Sequence, residues 1–280
     1  MARNVLRAGH SVVAFDVSNT ALDSAAEAGA ARAPSLAEAV KKADIVVTML
    51  PAGQQVRAVY FENGVLSHAR DGALLVDCST IDIGAARAVH NAAGAAGFDF
   101  VDAPVSGGVT GAEQATLTFM CGGTKKAFGR ARPILEQMGR RVVHVGSAGA
   151  GQAAKICNNM LLAISMIGTC EAFVLAEKLG LDALKLFEIS ANSSGQCWSL
   201  TSYCPVPGPV PAAPSNRNYQ GGFAAGLMLK DLRLAQEAAQ SAGASTPLGA
   251  EAAQLYSLFA AKGHSSLDFS GIIRMLRGEL

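Results

Sequence analysis

A doubly wound, mostly parallel α/β sheet followed by an all-α domain is the fold class predicted for this 280-residue chain. Three observations predict it. Short apolar runs alternate with helix-spaced segments through the first half, the pattern of a sheet wound with crossover helices. Those runs stop at Asp, Pro or Ser-Thr, as buried parallel-type strands do. Beyond Gly149 no convincing strand recurs, and the helical spacing is broken by a Pro-rich loop from Cys204 to Pro214. The chain therefore reads as an α/β domain over 1–147 and a helical domain over 148–280.

Taken in order, Met1 to Gly9 has helical spacing, and Val12-Val13-Ala14-Phe15 forms a short strand ending at Asp16. Leu22 to Ala28 is helical, and Ser35-Leu36-Ala37-Glu38 has the spacing of a capping box that opens another helix. Asp44 to Leu50 is a strand stopped by Pro51, and Leu74 to Thr80 is the next. A helix from Ile83 to Ala96 leads into a strand from Phe98 to Pro104. Leu117-Thr118-Phe119-Met120 and Arg141 to Val145 complete the strands, with a helix over Lys126 to Met138 between them. The chain then stays helical from Gly149 to about Gly180.

Composition narrows the function classes. Half of the residues are hydrophobic, enough for one large core or two modest ones. Lys and Arg number 23 against 22 Asp and Glu, and no basic tract appears, so nucleic acid and anionic membrane are poor partners. The six cysteines form no Cys-x-x-Cys pair and do not cluster with the five histidines. Neither a metal site nor a disulfide framework is expected, and a reducing compartment fits. The uncharged run between Lys155 and Glu171 is 15 residues long and includes Asn158 and Asn159, short of a membrane span. Arg3 and Arg7, with no acid before Asp16, faintly resemble a presequence. Ser11 to Asp16 nevertheless reads as a strand of the fold, so no targeting signal is expected.

In open α/β sheets ligands sit beyond the carboxyl ends of the strands. The unusual residues fall there: Asp16, Leu50-Pro51, Ser79-Thr80 and Val105-Ser106-Gly107-Gly108. An acid ending a strand of a nucleotide-type sheet accepts both ribose hydroxyls and repels a 2′-phosphate, which favours NAD over NADP; a helix N-cap is the plainer role. The Ser106 hydroxyl with the amides of Gly107 and Gly108 makes a cradle for a carboxylate, although Ser and Gly dominate ordinary turns too. Lys155 and Asn159, four apart, share one helix face. A lysine near the positive end of a buried helix holds its proton reluctantly, which suits proton exchange near neutral pH. The plainer alternative is a lysine reaching out to water. Lys230-Asp231, after Asn218-Tyr219-Gln220-Gly221-Gly222-Phe223, offers a second cation for an acidic substrate, or only a solvated helix face.

Gly149-Ala150-Gly151-Gln152-Ala153-Ala154 fits Gly-x-Gly-x-x-Ala, but a dinucleotide fingerprint needs a second strand ending in an acid. Here the chain stays helical and the nearest acid, Glu171, lies mid-helix. The segment is not read as a pyrophosphate loop.

Asp102-Ala103-Pro104-Val105-Ser106-Gly107-Gly108, then Gly149-x-Gly-x-x-x-Lys155-x-x-Asn158-Asn159, then Lys230-Asp231-Leu232, occur in that order. In this the sequence resembles the β-hydroxyacid dehydrogenase family from Met1 nearly to the C-terminus. Ser193-Ser194-Gly195-Gln196-Cys197-Trp198-Ser199, the Pro-rich loop and the run from Asn218 to Phe223 resemble the members that act on 3-hydroxyisobutyrate. The resemblance implies a Rossmann-type sheet and NAD-linked oxidation of 3-hydroxyisobutyrate to methylmalonate semialdehyde in valine breakdown. It casts Lys155 as acid/base, with Asn159 holding the substrate or the lysine. Ser106, Gly107 and Gly108 would bind the substrate carboxylate, with Lys230 across the pocket and Phe223 helping to close it. Asp16, Leu50, Pro51, Thr80 and Lys230 would contact NAD, as would Gln55, where close relatives usually carry Asn. It further implies a homodimer or homotetramer, cytoplasmic in a bacterium or in the mitochondrial matrix of a eukaryote. Two rivals stay open: a tartronate semialdehyde or glyoxylate reductase of the same family, and a non-catalytic relative that oligomerises through its helical domain.

Family members open with a strand and a Gly-x-Gly-x-x-Gly loop, followed by a helix resembling Met1 to His10. The resemblance here starts inside that helix, so the first strand is missing from the predicted sheet, where it would lie between the strands ending at Asp16 and Leu50. The expectation is a start assigned too far downstream, or a truncated product. Two rows of backbone groups would be left unpaired, the cradle for the pyrophosphate would be lacking, and NAD would bind weakly or the chain fold poorly.

Overall fold

The computed structural model describes residues 1–62 and 64–280. Two units are distinguished, Met1–Lys155 and Ile156–Leu280. In the first, α1 (Ala2–Arg7), β1 (Val13–Ala14), α2 (Asn19–Glu27), β2 (Ala31–Arg32) and α3 (Leu36–Val40) precede β3 (Ile45–Thr48). Then come α4 (Gly53–Phe61), α5 (Val65–His68), β4 (Leu74–Asp77), α6 (Ile83–Ala95) and β5 (Asp99–Asp102). The unit continues with β6 (Val105–Ser106), α7 (Gly108–Glu113), β7 (Leu117–Gly122), α8 (Lys125–Glu136) and β8 (Gly139–Gly146). Its last residues begin α9 (Ala150–Lys178).

Local chemistry explains the helix starts. Ser18, Ser35, Asp82 and Thr124 each cap a helix by accepting the backbone N–H three residues on. For Ser35 the donor is the Glu38 amide at 3.3 Å. The short elements β2, α4, α5, β6 and α7 lie outside the sequence-based reading, because runs of two to nine residues carry little periodicity.

β3, β4 and β5 are parallel, with Thr48 opposite Asp77 and Asp77 opposite Asp102. β7 then pairs antiparallel with β5 and with β6, while β8 pairs parallel with β7. The sheet is therefore mixed but still mostly parallel, as the sequence suggested, with three of its five strand pairings parallel. The link after β5 holds β6 and a six-residue helix rather than a helix packed along the sheet, and β7 comes back reversed.

β4 is buried at all four positions. Leu75 packs with Val46, Val56, Tyr60, Val89 and Phe100, while Leu74 and Val76 pack with Val101, Leu117, Phe119 and Leu135. One core thus covers each face, as the uninterrupted apolar run requires. β3 differs: Val46 and Thr48 are buried, whereas Val47 is 40% exposed. It is the outermost strand of the six, and β1 pairs with β2 in a separate two-stranded sheet among the described residues. The strands that end toward Asp16 and Leu50 are not paired with each other.

The second unit holds the rest of α9, then α10 (Ala183–Ala191), α11 (Trp198–Thr201), α12 (Ala225–Ala242), α13 (Pro247–Phe259) and α14 (Ile272–Leu276). Its ladder pairing, among the described residues, is a single bridge between Ala224 and Asp268. Ala163, Met166, Cys170 and Phe173 of α9 pack with Met228 and Leu232 of α12 and with Tyr256 and Phe259 of α13. By length and composition α9 would suffice to cross a membrane, which the 15-residue uncharged run alone did not suggest. Here that run supplies the helical core.

Candidate active site

Thr48, Asp77 and Asp102 stand abreast at the carboxyl ends of three parallel strands, all buried. The Thr48 hydroxyl donates to Asp77 Oδ1 at 2.7 Å and lies 3.0 Å from the Tyr60 hydroxyl. Ser79 donates to the same Oδ1 through its hydroxyl at 2.6 Å and its amide at 3.3 Å. Ser79 Oγ in turn accepts the Leu50 N–H at 2.8 Å. A buried polar layer thus ties the loop after β3 to the loop after β4. Burial pushes the Asp77 carboxyl above the usual carboxylate range, against the hydrogen bonds from Ser79 and Thr48, and it pushes the Tyr60 phenol up as well.

Asp102 anchors the other side of the layer. Its Oδ1 lies 2.7 Å from His90 Nε2 and accepts the Gly149 N–H at 3.0 Å, and its Oδ2 accepts the Gln152 N–H at 3.0 Å. A carboxylate at a helix N-terminus meets both unpaired amides and the positive end of the dipole. The Gln152 side chain reaches across: Oε1 accepts the Ile81 N–H at 3.0 Å, and Nε2 donates to the Ser79 carbonyl at 2.8 Å. The glycines beside it allow a close approach. A Cβ on Gly151 would lie 2.6 Å from the Asp102 carbonyl oxygen, and one on Gly122 2.7 Å from the Gly151 nitrogen. In this Gly-x-Gly segment Gly151 lets a helix lie against strand backbone. Lys155 follows three residues after Gln152 and is 7% exposed.

Ser106 sits in β6 opposite Thr118 and is half-buried. Gly107 (φ +132°) and Gly108 (φ +63°) then turn the chain through conformations that favour glycine, and both are exposed. A side chain on Gly107 would meet Leu117 Cδ2 at 3.1 Å.

The positions expected to hold NAD follow strand ends: Asp16 after β1, Leu50 and Pro51 after β3, Thr80 after β4. Leu50, Pro51 and Thr80 thus follow neighbouring strands of one sheet, whereas Asp16 follows a strand of the separate two-stranded sheet. Asp16 is exposed, and its Oδ1 accepts the Ser18 N–H at 2.8 Å; Ser18, and not Asp16, caps α2. Gln55 is exposed in the first turn of α4. A separate hollow of about 510 Å³, lined by Arg3, Leu6, Arg7, Glu27 and Ala28, contains none of these residues.

In the second unit Asn159 is buried, and its Nδ2 donates to Asp231 Oδ2 at 2.5 Å while its Oδ1 accepts from Asn158 at 3.0 Å. Lys230, partly exposed on α12, has its Nζ 3.3 Å from Asp231 Oδ1. The Phe223 N–H donates to Asp268 Oδ2 at 2.8 Å, and that oxygen also accepts the Tyr203 hydroxyl at 2.7 Å. The Phe223 ring meets Phe269 edge-on.

Asp77, His90, Gln152 and Asp231 are among the residues with evident parts in this arrangement that lie outside the sequence-derived set. Gln152 and Asp231 sit inside motifs already singled out and could have been found there. Asp77 was hidden in an apolar strand, and His90, a lone histidine in a helix, carried no signal at all.

Residues 1–146 match the family described as the NAD binding domain of 6-phosphogluconate dehydrogenase. Residues 149–276 match the family described as NAD-binding of NADP-dependent 3-hydroxyisobutyrate dehydrogenase. A probable 3-hydroxyisobutyrate dehydrogenase of Mycobacterium tuberculosis is 51% identical over 99% of this chain and 93% of its own length. The solved structure of the Mycobacterium tuberculosis enzyme with L-serine has a TM-score of 0.94 at 51% identity, covering 99% of this chain and 94% of that one. An NAD-dependent L-serine dehydrogenase of Pseudomonas aeruginosa is 49% identical over 98% of this chain and 93% of its own length.

Proposed function

Because the chain belongs to the 3-hydroxyisobutyrate dehydrogenase family of NAD-dependent oxidoreductases, we propose that it oxidises 3-hydroxyisobutyrate to methylmalonate semialdehyde, as a step of valine breakdown. The observation that carries this reading is Lys155: a lysine 7% exposed in the second turn of α9, past a first turn bonded to the loop that carries Thr80.

The Ser106 hydroxyl and the Gly107 and Gly108 amides hold the substrate carboxylate. The neutral Lys155 amine takes the hydroxyl proton while the carbinol carbon gives up its hydride, and the alcohol becomes an aldehyde. Bound NAD⁺ supplies the hydride acceptor. Lys155 then passes its proton to solvent, so each turnover yields aldehyde, NADH and one proton. Asn159, steadied by Asp231, orients the substrate or the lysine. Lys230 adds positive charge toward the acidic substrate and the cofactor, and Phe223 excludes water. Asp16 would accept the ribose hydroxyls and favour NAD over NADP, and Leu50, Pro51, Gln55 and Thr80 would supply further cofactor contacts. The protein works as a homodimer or homotetramer, in the cytoplasm of a bacterium or the mitochondrial matrix of a eukaryote.

Lys155→Ala is the test. Loss of a general acid/base lowers kcat by about 10²–10⁴-fold, with KM for the hydroxy acid nearly unchanged. A variant as fast as the parent overturns the assignment.

L-serine is a second reading, favoured by the solved relative with L-serine and by the L-serine dehydrogenase relative. Both substrates carry a CH₂OH group one carbon from the carbon that bears the carboxylate, and they differ in a methyl against an ammonium. The carboxylate cradle and Lys155 treat them alike, so the ratio of kcat/KM between them decides.

A further inference from the structure

We propose that Gln152 is a positioning residue, whose carboxamide ties the first turn of α9 to the loop after β4 and so fixes the Lys155 amine relative to Thr80. The inference rests on the reading of Lys155 as the acid/base and adds what holds that amine in place.

Gln152 is fully buried, and a leucine or methionine would fill much the same volume without an amide to desolvate. What the amide adds is direction. It accepts from the Ile81 N–H and donates to the Ser79 carbonyl, two backbone groups of opposite polarity on one loop. One such bond would be a pivot, whereas two fix rotation as well as distance. The Gln152 N–H and the Gly149 N–H bind the two oxygens of Asp102, so the first turn of α9 is held from β5 as well. Gly151 lets that turn approach within contact of the Asp102 carbonyl.

The held loop is the one that carries Thr80, and Ser79 also accepts the Leu50 N–H. Gln152 therefore joins the helix bearing Lys155 to both loops read as cofactor contacts. Residues three apart are neighbours on a helix face, so Lys155 is set directly by the turn that Gln152 holds. Rotation of the helix by about 10° carries a lysine amine, roughly 8 Å from the axis, by more than about 1 Å. A displacement of that size costs about a hundredfold in rate when reacting groups must meet.

The test uses the 280-residue chain without ligand and the variant Gln152→Met, with two readouts. Amide hydrogen exchange at Ile81 accelerates about tenfold or more, while Val76 in the middle of β4 is unchanged. Reductive methylation of Lys155, followed by mass spectrometry relative to exposed Lys126, changes in rate by about threefold or more. Faster Ile81 exchange with unaltered Lys155 reactivity overturns the proposal, since Gln152 would then be a packing residue only. No change at Ile81 overturns it as well. If circular dichroism shows Gln152→Met to be unfolded, Gln152→Glu, which keeps an acceptor for Ile81 and loses the donor to Ser79, is read by the Lys155 methylation rate alone, and an unaltered rate overturns the proposal. The turnover of Lys155→Ala separates this inference from the one beneath it. Normal turnover there removes the acid/base role, whereas the coupling of Gln152 to the Lys155 amine is read without turnover.

Discussion

Asp77 carries its burial unevenly. Its Oδ1 accepts three hydrogen bonds, from the Thr48 hydroxyl and from the hydroxyl and amide of Ser79, while its buried Oδ2 has no partner among the described residues. Burial raises the carboxyl above the ordinary range, and the hydrogen bonds only partly offset it. The sign of the consequence follows. The folded chain binds the proton more tightly than the unfolded chain, so no penalty exists below the unfolded value of about 3.9, and stability falls as pH rises from there toward the raised folded value. Asp268 has the same sign, because burial outweighs the bonds from Ser270, Tyr203 and Phe223. Asp77→Asn keeps an oxygen to accept all three hydrogen bonds and removes the charge. Its melting temperature should therefore decline less than the parent's between about pH 4 and pH 8. Melting curves recorded across that interval check this, and parallel curves would contradict it.

At the scale of the element, the start of α9 shows how one short sequence can be read correctly in part. Gly149-x-Gly151 looked like a phosphate loop, and the missing second strand argued against that use. The use it does have needed coordinates, because a glycine's neighbour across space leaves no trace in its own sequence. A Cβ on Gly151 would fall against the carbonyl oxygens of Met120 and Asp102, which are backbone and cannot swing aside. Gly151→Ala should therefore destabilise the chain by about 1–3 kcal/mol, read from urea unfolding. The same change at Gly168, where added bulk meets nothing nearby, should be neutral or slightly stabilising. The long elements were legible for the reason that they are long: α6, α8, α9 and β8 each carry a pattern over several residues, while four-residue β4 showed as an uninterrupted apolar run. β2 and β6, two residues each, exist only through the partners they pair with. The site divides in the same way. Lys155, Asn159 and Ser106, the residues proposed to do the chemistry and hold the substrate, were picked out by residue type and spacing, whereas Asp77 and His90 are tied in by contacts that spacing does not encode.

The exposed edges bear on how the whole chain behaves in solution. Among the described residues β3 is the last strand of its sheet and β1 pairs on one side, so the outer backbone donors and acceptors of both lack a strand partner. The side chains there do little to discourage pairing. Val13 is 50% exposed, Phe15 42% and Met49 58%, with no Lys or Arg within either strand. This differs from an orderly helix-mediated oligomer, which would use exposed leucines such as Leu161 and Leu175 on α9. Edge pairing has no stopping rule, because each added strand offers a new edge. Val47→Lys puts a charge on the exposed side of β3 while leaving Val46 and Thr48 in place on the buried side. Light scattering at rising protein concentration should show less growth of large species for this variant, with any defined dimer or tetramer unaffected. If the variant aggregates as readily as the parent, the edges are already blunted in solution, and the apolar faces of the helical unit become the surfaces to alter.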